Sequence, residues 1–272
     1  MRIDSHHSFS ERYTLEYLDS ILKRNRFDGS VLVAPPFAIG LGLPDIVRGI
    51  VVVLDLRDPQ LPYILDEYQR HPRFKGVCHH FTGDIPDGLG ELERRGIPLD
   101  AIAALGLIPR IVDRFPSLRI VIDHVGQAEA GTANGVHPAS GADPLARAGP
   151  PGPAPAGQGA HGVEEAGHSV GSGPGGPPRT WARELEQAAQ FPQVFCKLSS
   201  IGRLTPSARP YVQHALAIFG ARRLMFGSDW PAGLPDTAWK ASLAAFTQAI
   251  GAQTIDVREE LLGGTAERFY GL

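Results

Sequence analysis

Eight short runs rich in β-branched and other apolar residues recur along the chain, and they constrain its fold more than any other feature. They lie at 2–5, 29–34, 49–56, 74–81, 97–101, 118–125, 194–200 and 223–229. Stretches with apolar residues at helical spacing separate several of these runs, at 15–25, 61–71, 107–115 and 181–191. Near-continuous apolar strands that alternate with amphipathic helices are typical of a parallel sheet covered by helices. We therefore expect a single α/β domain over residues 1–272, a (β/α)8 TIM barrel, with a doubly wound open sheet as the alternative.

Two segments interrupt this regular order. In residues 128–178, Gly, Pro and Ala account for 33 of the 51 positions. Such a stretch cannot bury enough apolar surface to offset its ordering entropy, so it is predicted to be a disordered or loosely packed insertion after the sixth strand. The connection between the second and third strands is short and contains three prolines and two glycines. We expect no full helix there, and hence an irregular second unit of the barrel.

The charge and composition of the chain exclude several classes of function. A net charge of −3 provides no basic field for nucleic acid or for an anionic membrane. The chain has neither a signal-peptide pattern nor an apolar run long enough to span a bilayer, so we expect a cytoplasmic protein. The two cysteines, Cys78 and Cys196, lie in apolar segments and are expected to be buried free thiols.

Polar and ionisable side chains gather at the ends of five of the eight runs. Active sites of (β/α)8 barrels lie at the C-terminal ends of the strands, so these side chains are expected at one rim. A lone His or Asp at a strand end is more often a cap or a satisfied core group, but five strands with such ends favour a functional site. The residues are Asp4, His6 and Ser8; His79 and His80; Asp123 and His124; Lys197 and Ser199; and Ser228 and Asp229.

Several motifs taken together resemble one known family. "RIDSHHSF", "LRIVIDHVGQ", "VFCKLSS", "RLMFGSDWP" and "TAERFYGL" resemble the amidohydrolase superfamily, in its amidohydrolase-2-type branch with L-fuconolactonase and 2-pyrone-4,6-dicarboxylate lactonase. The resemblance implies a hydrolase of the EC 3.1.1 class that opens a lactone or similar cyclic ester. In it Asp229 is the general base, while His6 and His124 polarise the carbonyl or hold a metal. The predicted substrate-binding residues are His79, His80, Lys197 and Arg203.

The chain departs from the family pattern on the first strand. Ser8 stands where the family has the second histidine of H-x-H, and serine is a poor zinc ligand. We therefore expect either no cofactor or a weakly bound divalent metal, zinc, held by His6, His124 and Asp229. Cys78 stands where relatives often show an arginine, which removes one anchor for a substrate carboxylate. The expected partner is a carboxylated or sugar-derived lactone, without nucleic acid or membrane, and the oligomeric state is left open.

Two alternatives to the lactonase hypothesis remain from the sequence. One is a metal-dependent decarboxylase of the same superfamily, which requires bound zinc. The other is a degenerate, non-catalytic homologue that acts as a binding protein. The interrupted H-x-H, the short connection between strands two and three, and the insertion just after His124 motivate the second alternative.

Overall fold

The computed structural model describes residues 1–8, 14–126, 177–204, 207–231 and 235–272. The predicted insertion at 128–178 lies outside these residues except for its last two positions. In the part of the chain that is described, no helix is both long and apolar enough to cross a membrane.

Eight parallel strands pair in chain order and form a nearly closed barrel. Between the eighth strand and the first, a parallel bridge joins His7 and Trp230, and the Ser8 amide donates to the Trp230 carbonyl at 2.7 Å. The predicted (β/α)8 barrel is thereby confirmed over the open sheet. The strands are β1 Ile3–Ser8, β2 Gly29–Ala34, β3 Val47–Val53, β4 Phe74–His80, β5 Leu99–Ile102, β6 Ile120–Ile122, β7 Val194–Leu198 and β8 Leu224–Phe226.

Helices surround the barrel, and all four helices predicted from apolar spacing are present. The second connection contains only a 3-10 turn, Pro36–Gly40, as its prolines and glycines predicted. Local sequence sets several helix ends: the Thr14 side chain caps α1, and Gly96 ends α3 with a left-handed φ of 67°. The helices are α1 Leu15–Arg24, α2 Leu61–Tyr68, α3 Leu89–Arg95, α4 Ile108–Arg114, α5 Arg179–Ala189, α6 Arg209–Phe219, α7 Pro235–Ile250, α8 Ile255–Glu259 and α9 Thr265–Tyr270.

Strand alternation divides the buried side chains into two layers. The larger layer lies between the strands and the surrounding helices and includes Leu32, Ile50 and Leu99. The smaller one fills the barrel, where α9 closes the end at which the strands begin and buries Phe269 and Tyr270. The barrel is therefore a packed core with a closed bottom, and its C-terminal rim is left for chemistry.

Both cysteines are buried and free, as the sequence predicted. Burial raises the pKa of the Cys78 thiol well above its ordinary value, and it does the same for Cys196. Neither thiol is therefore a nucleophile near neutral pH, because the thiolate is the reactive form.

Candidate active site

A β-bulge in β1 decides which of its polar side chains reach the barrel interior. The register between β1 and β2 shifts between Asp4 and His7. The Asp4 carboxylate faces α7, where it accepts a hydrogen bond from Trp239 Nε1 at 2.9 Å. His7 Nε2 lies 3.0 Å from Ser30 Oγ, in the layer under the helices. Of these three acidic and imidazole side chains, only His6 therefore faces the groups inside the barrel.

Asp229 meets His6 and His124 at the C-terminal rim of the barrel. One nitrogen or oxygen atom from each of the three lies within 4.8 Å of the others. His6 Nε2 is 3.9 Å from Asp229 Oδ1, and the two imidazole rings meet edge to face with centroids 4.7 Å apart. The side chains come from β1 and from the segments that follow β6 and β8. The structure thus brings the three predicted catalytic residues into one cluster.

Left-handed backbone conformations hold the rim residues in place. The φ angles are 53° at His124, 55° at Ser200 and 57° at Asp229. Ser200 Oγ donates a hydrogen bond to Asp229 Oδ2, and Ser199 Oγ lies 2.9 Å from His124 Nδ1. Such conformations cost about 1–3 kcal/mol each outside glycine, and they cluster at functional sites. The rim therefore shows the backbone strain expected of an active site.

A buried charge cluster lies directly beneath these residues. Lys197 Nζ is 2.5 Å from Asp100 Oδ2, 3.0 Å from Asp123 Oδ1 and 3.2 Å from His6 Nδ1. The single hydroxyl proton of Tyr270 in α9 is shared between the two oxygens of Asp100, which lie 2.8 and 2.9 Å from the hydroxyl oxygen. Lys197, Asp100 and Asp123 are fully buried. One connected set of contacts thus runs from the closed bottom of the barrel to His6.

Burial and neighbouring charges set the protonation of this cluster. Burial alone lowers the pKa of Lys197, but Asp100 and Asp123 outweigh it and raise that pKa above its usual value. Burial raises the pKa of Asp100 to about 6. For Asp123, burial acts in the same direction, but Lys197 and His6 hold its pKa below the ordinary range. Burial lowers the pKa of His124 to about 4, so its imidazole is neutral near pH 7.

Comparison with known proteins supports the barrel fold and the family resemblance. Residues 164–272 match the model of the Amidohydrolase family. An amidohydrolase structure from Burkholderia multivorans with bound Zn superposes with a TM-score of 0.72 over 100% of this chain and 99% of its own, at 22% identity. The resemblance to the amidohydrolase family is confirmed. Because the sequence identity to that zinc-bound structure is only 22%, the superposition demonstrates a shared fold and nothing further.

Two curated relatives carry the name L-fucono-1,5-lactonase. The one from Burkholderia multivorans is 33% identical over 105 residues, which are 34% of this chain and 35% of that protein. The one from Burkholderia ambifaria is 25% identical over 205 residues, which are 68% of this chain and 56% of that protein. These alignments span about a third and just over half of the lactonases' lengths.

The predicted substrate-binding residues lie in different places of this barrel. Arg203 is 66% exposed, and its Nη2 is 4.0 Å from Asp229 Oδ2, at the edge of the cluster. His80 is exposed at the end of β4, whereas His79 is buried and donates from Nδ1 to the Leu54 carbonyl at 2.9 Å. Lys197 lies below the rim, where its carboxylate partners belong to the protein itself. The structure thus brings Arg203 to the three catalytic candidates and does not bring His79 or Lys197 to the surface of the site.

Three residues in these contacts were not among the predicted site residues: Asp100, Ser200 and Tyr270. For Asp100 a signal exists in the sequence, because an acidic residue interrupts the apolar run "IPLDAIA". A charge in the middle of a buried strand needs a partner, so the run itself predicts a buried cation elsewhere in the barrel. Ser200 and Tyr270 lie within the quoted motifs "VFCKLSS" and "TAERFYGL", but the residue types alone do not indicate a role, since serine and tyrosine are common in loops and helices.

Proposed function

We propose that this chain hydrolyses a lactone or a similar cyclic ester at the cluster of Asp229, His6 and His124. The observation that carries the proposal is their convergence within 4.8 Å at the C-terminal rim, where barrel enzymes perform their chemistry. The two lactonase-named relatives support the reaction class. Asp229 supplies a carboxylate, and the two histidines supply hydrogen-bonding groups beside it.

The reaction follows from the chemistry of these three side chains. Asp229 takes a proton from a water molecule as its oxygen attacks the carbonyl carbon, and the carbonyl oxygen becomes an oxyanion. His6 and His124 stabilise that oxyanion by hydrogen bonds. When the C–O bond of the ring breaks, the alkoxide takes the proton back from Asp229, and a hydroxy acid is released.

The donor set also suits a divalent metal. Two imidazoles and one carboxylate are ligands that zinc accepts in catalytic sites. Held by His6, His124 and Asp229, zinc would act as a Lewis acid on the carbonyl and lower the pKa of bound water. Ser8, at the end of β1, adds no further imidazole to this set. We therefore propose that any metal binds weakly.

Arg203 is expected to determine which lactones the enzyme prefers. Its exposed guanidinium lies at the edge of the cluster, where it can form paired hydrogen bonds with a substrate carboxylate. Carboxylated lactones are therefore expected to have a lower KM than uncharged sugar lactones. An Arg203→Gln variant should lose this preference while its rate on uncharged lactones is kept.

The test is a hydrolysis assay with a panel of sugar-derived and carboxylated lactones, in which a pH indicator reports the acid that is released. The Asp229→Asn variant should be slower by about a thousandfold, since general-base catalysis contributes roughly 10²–10⁴. Asparagine tolerates the left-handed backbone at this position, so the fold should persist. Asp256→Asn, at an exposed carboxylate in α8, is the matched control and should retain the full rate. Equal rates for Asp229→Asn and wild type would overturn the role of Asp229.

A metal-dependent decarboxylase is the second candidate, and the zinc-type donor set favours it. It predicts stoichiometric metal in protein purified without chelators, together with CO2 release from carboxylated substrates and no lactone opening. Metal analysis and CO2 detection on the same preparation separate it from the lactonase. Stabilisation by lactones without turnover would instead indicate a binding protein.

A further inference from the structure

The buried ammonium of Lys197 has three neighbours that can accept hydrogen bonds. They are Asp100 Oδ2 at 2.5 Å, Asp123 Oδ1 at 3.0 Å and His6 Nδ1 at 3.2 Å. A lysine ammonium carries three N–H donors and has no lone pair. The contacts with Asp100 Oδ2 and His6 Nδ1 have hydrogen-bond geometry, whereas Asp123 Oδ1 is a close ion-pair partner without an aligned hydrogen bond. His6 Nδ1 is therefore one of the two atoms that accept a hydrogen bond from the ammonium.

The hydrogen bond from Lys197 determines which imidazole nitrogen of His6 carries the proton. A nitrogen that accepts from Lys197 must present a lone pair, so Nδ1 is unprotonated. Asp123 Oδ2 also lies near Nδ1, but at 3.5 Å the contact is longer than that of Lys197, and it is an ion-pair distance rather than an aligned hydrogen bond. In neutral His6 the proton is then on Nε2, the nitrogen that lies 3.9 Å from Asp229 Oδ1.

We infer that Lys197 is a positioning residue that keeps the proton of His6 on Nε2 and directs it to the rim. The inference rests on the proposed function only for what this proton does, which is to donate to the carbonyl oxygen of the substrate. It also has a consequence for metals. A metal that binds His6 Nε2 must displace this proton and approach the lysine charge. Lys197 therefore weakens metal binding at the rim.

The positioning extends to the closed bottom of the barrel. Asp100 orients Lys197, and the single hydroxyl proton of Tyr270 in α9 is shared between the two oxygens of Asp100 and orients that carboxylate. All four members, from His6 through Lys197 and Asp100 to Tyr270, are at most 5% exposed, so water does not replace these contacts. The C-terminal helix thus supports the proton position at the opposite end of the barrel.

The first measurement needs only the wild-type protein. Two-dimensional NMR of the ¹⁵N-labelled chain distinguishes protonated from unprotonated imidazole nitrogens, with His6 assigned through bonds from its backbone. The expected result is a protonated Nε2 and an unprotonated Nδ1 for His6 at neutral pH. A proton on Nδ1 would overturn the inference.

The second measurement uses a variant matched in charge. Lys197→Met together with Asp100→Asn removes one positive and one negative charge, so the formal charge of the cluster is unchanged. Only Asp123 then faces His6 Nδ1, so the proton should move to Nδ1 and free the Nε2 lone pair. We expect zinc titration to show about tenfold tighter binding than in the wild type, and lactone kcat to fall about 10–100-fold at nearly constant KM. Unchanged zinc affinity in a folded variant with wild-type imidazole signals would contradict the role of Lys197.

A milder variant and a control complete the design. Tyr270→Phe removes the hydroxyl that orients Asp100 and leaves every rim residue in place, and we expect a smaller loss of kcat in the same direction. Lys23→Met, at an exposed lysine of α1, should change neither zinc affinity nor the His6 signals. If the wild type opens no lactone but His6 is protonated on Nε2, the proposed function fails and the positioning role stands. If lactones are opened but the proton lies on Nδ1, the positioning role fails alone.

Discussion

The two ends of the barrel differ in the residues they bury and in their backbone conformation. At the C-terminal rim, polar side chains converge and non-glycine residues adopt left-handed backbone, among them His124, Ser200 and Asp229. At the opposite end, α9 packs Phe269 and Tyr270 into the barrel, and apolar contacts dominate. At the rim, strained backbone conformations orient the polar side chains, and the apolar packing at the bottom offsets the free-energy cost of that strain. Apart from the Tyr270 hydroxyl, which contacts Asp100, substitutions in the apolar packing of the bottom should therefore change stability, whereas substitutions at the rim should change turnover.

The largest expected effect on stability is at the bottom, at Gly263. A Cβ atom there would lie 2.0 Å from the carbonyl oxygen of Met1, a backbone atom that cannot rotate away. Gly263→Ala should lower the free energy of unfolding by about 3 kcal/mol, the upper range for overpacking. Urea denaturation measures this loss, and lactone turnover per folded molecule should stay at the wild-type value. A reduced kcat in the folded fraction would show that a packing defect at Gly263 is transmitted to the rim.

Ser200 tests the rim with two variants that separate strain from hydrogen bonding. Ser200→Ala and Ser200→Gly both remove the hydroxyl that donates to Asp229, so both should lower kcat, by about tenfold. Only glycine relieves the left-handed φ of 55°, so the glycine variant should be more stable than the alanine variant by about 1 kcal/mol. Thermal unfolding of the pair measures the strain, and equal stabilities would show that position 200 carries none.

How far the sequence predicts this molecule depends on the range of the interactions involved. The eight strands and the missing second helix follow from local composition, since apolar runs, prolines and glycines act within a few residues. His6, His124 and Asp229 could be placed together because the ends of parallel strands in a barrel share one rim. These predictions need no knowledge of how one strand is registered against another.

The parts that the sequence does not predict depend on contacts between strands. The bulge in β1 separates Asp4 from His6, yet "RIDSHHSF" reads as regular alternation because a bulge is defined by the register with β2. Lys197 resembles a rim cation in "VFCKLSS", but its carboxylate partners come from β5 and from the end of β6. Buried charges are paired across the fold, so a motif from one strand cannot show whether its lysine binds a substrate or the protein.

The smallest expected effect distinguishes buried His79 from its exposed neighbour His80 on the same strand. Burial lowers the pKa of His79 below its ordinary value of 6.5. Between the two pKa values the unfolded chain binds more protons than the folded chain, so the free energy of unfolding falls as the pH falls through 6.5. His79→Gln keeps an N–H donor for the Leu54 carbonyl but does not titrate, so its stability should decrease less on acidification. Urea denaturation between pH 7 and pH 5 measures the difference.

His80→Gln, at the exposed neighbour, is the control, and its stability should depend on pH as that of the wild type does. Wild-type turnover in His79→Gln would assign His79 to the layer under the helices, whereas a raised KM would place it in contact with the substrate.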